Sequence, residues 1–167
     1  MSKINPKKFY ECIYEIMSAT PLITNCGRHC SCICCSDTDV GEGMYLYPFE
    51  EVMFGEDTPF AKILPCDFKA GGRDVAFMTC SGSCQRDYRP LACRIFPLVP
   101  YIDPMGEMKI IFDPRAVGFC PLENKNITRK FKKQVSIIAN MLLKVSETRD
   151  FLIAQSRLID DFLNPII

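Results

Sequence analysis

The chain reads as an α+β protein on three observations. Apolar residues recur at helical spacing near both ends, two pairs of short strand-like segments flank turn sequences in the middle, and eleven cysteines, none after Cys120, crowd what remains. The architecture these predict is small antiparallel hairpins and cysteine-rich metal-binding loops packed against N-terminal and C-terminal helices.

The first helix is announced by Asn5, a capping residue type, and by Pro6, whose missing N–H costs nothing at the first helical position. Phe9, Ile13, Ile16 and Met17 then share one face, and Pro21 closes the segment. Cys12 lies near that face and is read as a small core residue. From Asn25 to Asp39 there is neither helical nor strand period, only cysteine, serine, glycine and charge. Apolar burial cannot give such a segment a shape, whereas metal binding can. Met44–Pro48 and a short helix over Phe49–Phe54 follow.

Two hairpins come next. Ile63–Phe68 and Val75–Thr79 flank Ala70-Gly71-Gly72-Arg73, and Leu98–Ile102 and Met108–Phe112 flank Asp103-Pro104-Met105-Gly106. Pro114–Pro121 is expected to be a loop bearing Cys120. Ile127, Phe131, Val135, Ile138, Leu142 and Val145 recur at helical spacing, and Ser146–Thr148 breaks and recaps the pattern. Phe151, Leu152, Leu158, Ile159 and Phe162 then form a second amphipathic segment. The expected organisation is one cysteine-cluster metal-binding domain over residues 1–167. Its metal-bearing part spans about 22–122 and is covered by a helical hairpin over about 126–164. The basic run Arg129, Lys130, Lys132 and Lys133 is read as a solvated helix face.

Lys plus Arg total 20, as do Asp plus Glu, so the formal net charge is zero, which argues against a nucleic-acid partner. The most apolar stretch, Val135–Val145, contains Ser136, Asn140 and Lys144 and falls short of a membrane span, so no membrane partner is expected. No apolar signal core follows Met1–Lys8, and the expected compartment is the cytoplasm. Thiols stay reduced there. The cysteine count is odd, and five cysteines fall between Cys26 and Cys35; both facts favour metal over disulfides. The sequence identifies no protein partner.

The first cluster reads Cys26-Gly-Arg-His-Cys30-Ser-Cys32-Ile-Cys34-Cys35. Four thiolates hold a zinc ion or an iron–sulfur cluster, so the crowding suits either metal and exceeds what one mononuclear site needs. The second cluster runs from Cys80 and Cys84 through Tyr88-Arg89-Pro90 to Cys93-Arg94 and Phe96-Pro97-Leu98. Here the chain resembles the YkgJ-like cysteine-cluster family, or CxxCxxCC domain, associated with zinc or iron chelation. That family's second motif has the form C-x-x-Y-x-x-R-P-x-x-C-R-x-F-P. Arg89, Pro90, Cys93, Arg94, Phe96 and Pro97 match its second half; Cys84 resembles its opening cysteine with one residue fewer before Arg89, and Tyr88 stands one place late counted from Cys84. Cys34-Cys35 resembles the pair that ends the first motif, and Leu46–Glu50 resembles the Leu-x-x-x-Glu element that follows. The upstream spacing departs from the family's. Either Cys26 and Cys30, or Cys30 and Cys32, fill the two earlier roles.

The candidate metal ligands are therefore Cys26, Cys30, Cys32, Cys34, Cys35, Cys80, Cys84, Cys93 and Cys120, with Cys66 either ligand or core. Arg89 and Arg94 flank Cys93 and are expected to donate hydrogen bonds to sulfur, offsetting thiolate charge. His29, the single histidine, is read as an exposed loop residue. The expected cofactor is zinc or iron, an iron–sulfur cluster included, with the metal structural or sequestered. The alternative is an iron–sulfur or metal-dependent enzyme, of oxidoreductase or protein lysine methylase type, as the resemblance implies for some relatives. Catalytic residues are not assigned.

Overall fold

The computed structural model describes residues 4–24, 26–29, 31–35, 43–55, 61–80, 86–118, 120–122 and 127–164, and the architecture over them is α+β with helices at both ends. Helix α1 spans Pro6–Ile16, and the Asn5 side chain accepts from the Lys8 amide at 3.2 Å. Its buried face is Tyr10, Ile13 and, just past its end, Met17, while Phe9 and Ile16 are half-buried. Cys12 is exposed, contrary to its reading as a core residue. The helical repeat explains the difference, because two residues past Tyr10 is a turn of about 200°, on the far side of the helix.

Strands β1 (Gly43–Tyr45), β2 (Ala61–Ala70) and β3 (Arg73–Cys80) form an antiparallel sheet with β3 in the middle. The expected first hairpin is β2–β3, longer than its sequence signal, and β1 adds a strand across from Phe77–Thr79. The β2–β3 turn holds Gly71 and Gly72 at φ +57° and +76°, the left-handed pair that a two-residue hairpin requires. A Cβ on Gly71 would also lie 2.6 Å from Asp150 Oδ2. Strands β4 (Leu98–Ile102) and β5 (Met108–Phe112) form the second hairpin at its expected bounds. Asp103 Oδ1 accepts from the Met105 and Glu107 amides and so closes its turn.

Helix α2 (Leu91–Ile95) lies between the hairpins, and α3 (Arg129–Leu143) and α4 (Ser146–Leu163) make the C-terminal helical pair. The Thr128 hydroxyl accepts from the Phe131 amide and caps α3. The main core joins α1, α3 and α4 to both sheets through Tyr10, Tyr47, Leu91, Phe131, Ile138 and Phe151. A separate small cluster holds Ala116, Cys120 and Leu122, against which Leu22, Cys26, Phe96 and Phe112 pack. Among the described residues, no helix is long and apolar enough to cross a membrane.

Candidate metal centre

The small cluster forms the floor of the candidate site. Cys120 is buried there; its amide donates to the Ala116 carbonyl at 2.9 Å, one turn after Pro114–Ala116. Cys26, half-buried, packs against the same cluster from the 3₁₀ turn Cys26–His29. Cys34 is exposed in the 3₁₀ turn Ile33–Cys35, whose last residue is Cys35. Cys93 is half-buried in the middle of α2.

These four thiols line one pocket. Its wall also includes Pro21, Ile33, Phe96, Pro97, Pro121 and Leu122, and three arginines, Arg86, Arg89 and Arg94. Space for the centres of water-sized molecules amounts to about 40 Å³. At roughly 10–15 Å³ for each water, that suits an ion or a small ligand group. Cys32, half-buried, and Cys80, half-buried at the end of β3, do not line it. Cys30 and Cys84 lie outside the described residues. Among the described residues, no three Cys, His, Asp or Glu side chains are grouped closely enough to hold one ion. The thiols share a wall rather than a point.

Between the two cysteine-bearing turns, Ser31 and Cys32 have φ of +52° and +57°. Left-handed backbone costs a residue with a Cβ roughly 1–2 kcal/mol. The Cys32 amide donates to the Gly27 carbonyl at 3.0 Å and fixes this reversal, which carries the chain from Cys26 to Cys34. Cys66 donates to the Val75 carbonyl across the β2–β3 hairpin, so it belongs to the sheet. His29 is exposed, as expected.

The arginines differ from one another. Arg94, 5 % exposed, donates from Nε to the Arg89 carbonyl and from Nη2 to the Asp87 carbonyl, both at 2.7 Å. Its guanidinium carbon lies 3.9 Å from the centroid of the Tyr14 ring. These bonds hold the turn Arg86–Tyr88 onto α2, where sulfur had been expected as the acceptor. Arg86 donates to the Ala19 carbonyl and so ties the pocket wall to the end of the α1 segment. Burial pushes the Arg86 guanidinium down from its ordinary pKa, Arg94 and Arg89 beside it add to the push, and Cys26 opposes it.

Sequence reasoning did not single out Glu50 as the support of this wall. Its wholly buried carboxylate accepts from the Tyr14 hydroxyl at 2.6 Å, the Leu91 amide at 2.5 Å and the Tyr47 amide at 3.0 Å. One side chain thereby joins α1, the turn after β1 and the first residue of α2. Burial pushes the Glu50 pKa up to about 7, against the pull of those three donors and Arg94. The signal available in the sequence is the Leu46–Glu50 element itself, whose acid closes a mostly apolar stretch. Comparison with protein-family models, curated proteins and solved structures finds no match for the chain.

Proposed function

We propose that the chain binds zinc or iron through cysteine thiolates, with the metal ordering the pocket or sequestered in it. One observation carries this reading: Cys26, Cys34, Cys93 and Cys120, drawn from three separate parts of the sequence, line a single pocket. The donor chemistry fits, since a thiolate set suits zinc and iron–sulfur chemistry alike. The arginines fit as well, because cationic neighbours favour thiolate over thiol. The thiols are not drawn together around one point. Loading would therefore close the wall on the ion, and part of the binding energy would appear as folding energy. The left-handed backbone at Ser31 and Cys32 is the kind of local strain that such closure would hold in place. Glu50 and Arg94 support the site by seating α2.

The resemblance to the YkgJ-like family points the same way, through Cys84, Cys93 and the Arg-Pro and Phe-Pro pairs around them. Cys30, Cys32, Cys35 and Cys80 are further ligand candidates. The cytoplasm is the compartment that suits so many reduced thiols. The test is elemental analysis with a visible spectrum on protein purified without oxygen. Colourless protein with near-stoichiometric zinc supports a structural or sequestering site. Brown protein with iron and acid-labile sulfide supports a cluster, and with it the redox-enzyme alternative. Metal-free protein lacking reactive thiols contradicts the proposal.

A further inference from the structure

Away from the cysteine pocket, two buried polar atoms have no hydrogen-bond partner among the described residues: the Tyr47 hydroxyl and Gln155 Oε1. The residues are 1 % and 4 % exposed, so bulk solvent does not serve either atom. A buried hydroxyl or amide oxygen left unpaired costs about as much as a lost hydrogen bond. The other buried polar side chains of α4 are answered. Thr148 donates to the Val145 and Leu142 carbonyls, and Ser156 donates to the Leu152 carbonyl and accepts from the Ile102 amide.

The two atoms belong to one junction. The Tyr47 ring packs on Phe151 of α4 with centroids 4.7 Å apart. Gln155 stands one turn further along α4, on the same face as Phe151. Helical side chains lean toward the N-terminus, which carries the Gln155 amide back toward that ring. The 3₁₀ turn Pro114–Ala116 packs on the same helix, and Asp113 and Arg115 lie within electrostatic reach of Tyr47. Those two are bonded to each other, Arg115 Nε to Asp113 Oδ1 at 2.9 Å and Nη2 to Oδ2 at 2.7 Å, and neither bonds the hydroxyl. Burial pushes the Tyr47 pKa up, and Glu50 adds to the push, so the hydroxyl keeps its proton and is a donor. Gln155 Oε1 is an acceptor. A direct bond would satisfy both, and the structure does not make it. Turning the amide over exchanges an unpaired acceptor for an unpaired donor, so rotation is no cure.

We propose that a buried water bridges Tyr47 and Gln155, accepting from the hydroxyl and donating to the amide oxygen. Internal waters make between two and four such bonds, roughly, and serve polar groups that the protein itself leaves unpaired. The bridge would tie the segment Leu46–Glu50 to α4. That segment is already held to α1, where the Tyr10 hydroxyl donates to the Pro48 carbonyl at 2.8 Å, and the Tyr47 amide donates to Glu50 at 3.0 Å. The water therefore joins the large core to the Glu50 brace, and it needs no metal.

The test is urea unfolding of the full chain, of Tyr47→Phe, of Gln155→Met and of the double variant, each substitution keeping nearly the shape it replaces. Either single change strands the water and the remaining polar group, so each should lower the unfolding midpoint. The double variant removes both partners together, and its midpoint should lie no lower than that of the worse single variant. A midpoint raised by Tyr47→Phe alone would mean an unpaired hydroxyl and overturn the bridge. Losses that add in the double variant would overturn it as well, because the two groups would then share nothing. Should a variant fail to fold, a crystal structure of the unaltered chain decides: an ordered water within hydrogen-bond distance of both atoms is expected, and a junction without one overturns the proposal.

Discussion

The two cores of this molecule are held by different means. On the side of α1, α3 and α4, large side chains such as Tyr10, Phe131, Ile138 and Phe151 are fully buried, and Asn5 and Thr128 cap their helices. Among the described residues, the pocket side has Ala116, Cys120 and Leu122 as its buried cluster. Around it run 3₁₀ turns of three or four residues and two left-handed residues with side chains. Burying a large side chain contributes roughly 1.5–3 kcal/mol, so the first side can sustain its own shape. Among its described residues the second buries far fewer large side chains. Its order depends on the polar brace of Glu50 and Arg94 and, on the reading proposed here, on a metal. On that reading, the difference teaches that a chain can place its stability in one half and leave the other to a ligand.

The comparison can be broken most severely from the large core. Phe131→Ala should cost about 3–5 kcal/mol in denaturant unfolding, with or without metal, because it empties the junction of α3 with the sheets. A loss near zero would mean that this core does not carry the fold.

Glu50 connects the two sides, and its effect is a pH dependence. Its pKa is raised from 4.5 in the ordinary state to about 7 in the folded protein, so the native state holds the proton more tightly. Its contribution is therefore fully present below pH 4.5 and is lost as pH rises toward and through 7. The stability lost across that window is about 3 kcal/mol. Urea unfolding at a series of pH values should show this fall, and Glu50→Gln should flatten it. A wild-type profile that rises between pH 5 and 7 would contradict the burial argument.

Thr128→Ala removes the α3 cap and should cost about 1 kcal/mol, again independently of metal. The smallest effect on the bare chain sharpens the comparison most. Cys34 is exposed, so Cys34→Ser should change metal-free stability by less than about 0.5 kcal/mol. The same substitution should reduce metal retention, read by a chelator challenge. Unchanged retention would remove Cys34 from the ligand set.

The self-sustaining side was also the side legible in the sequence. Helical spacing located α3 and α4, and the Asp103–Gly106 turn set the bounds of β4 and β5, since periodic burial and turn chemistry are written locally. Strand β1 was not recovered, because three residues carry no period and its pairing with Phe77–Thr79 is non-local. The face of α1 was read one residue off at Phe9, which drew Cys12 inward. On the pocket side, residue types gave the cysteines but not their grouping. Cys32, Cys34, Cys80 and Cys93 are all ligand candidates by sequence, Cys93 the firmest of them, and the fold separates Cys34 and Cys93, which line the pocket, from Cys32 and Cys80. Arg94 is expected to donate to sulfur; its Nε and Nη2 donate instead to the Arg89 and Asp87 carbonyls, within the same short segment. The role of Glu50 depends on Tyr14 and Leu91, 36 and 41 residues away, which no local pattern encodes.

The most direct test of this division is amide hydrogen exchange on the full chain, stripped and then reloaded with zinc or iron under reducing conditions. The account predicts that metal slows exchange in Cys26–His29, Ile33–Cys35, Leu91–Ile95 and around Cys120, and leaves Arg129–Leu143 unchanged. Equal exchange in the cysteine turns with and without metal would contradict it.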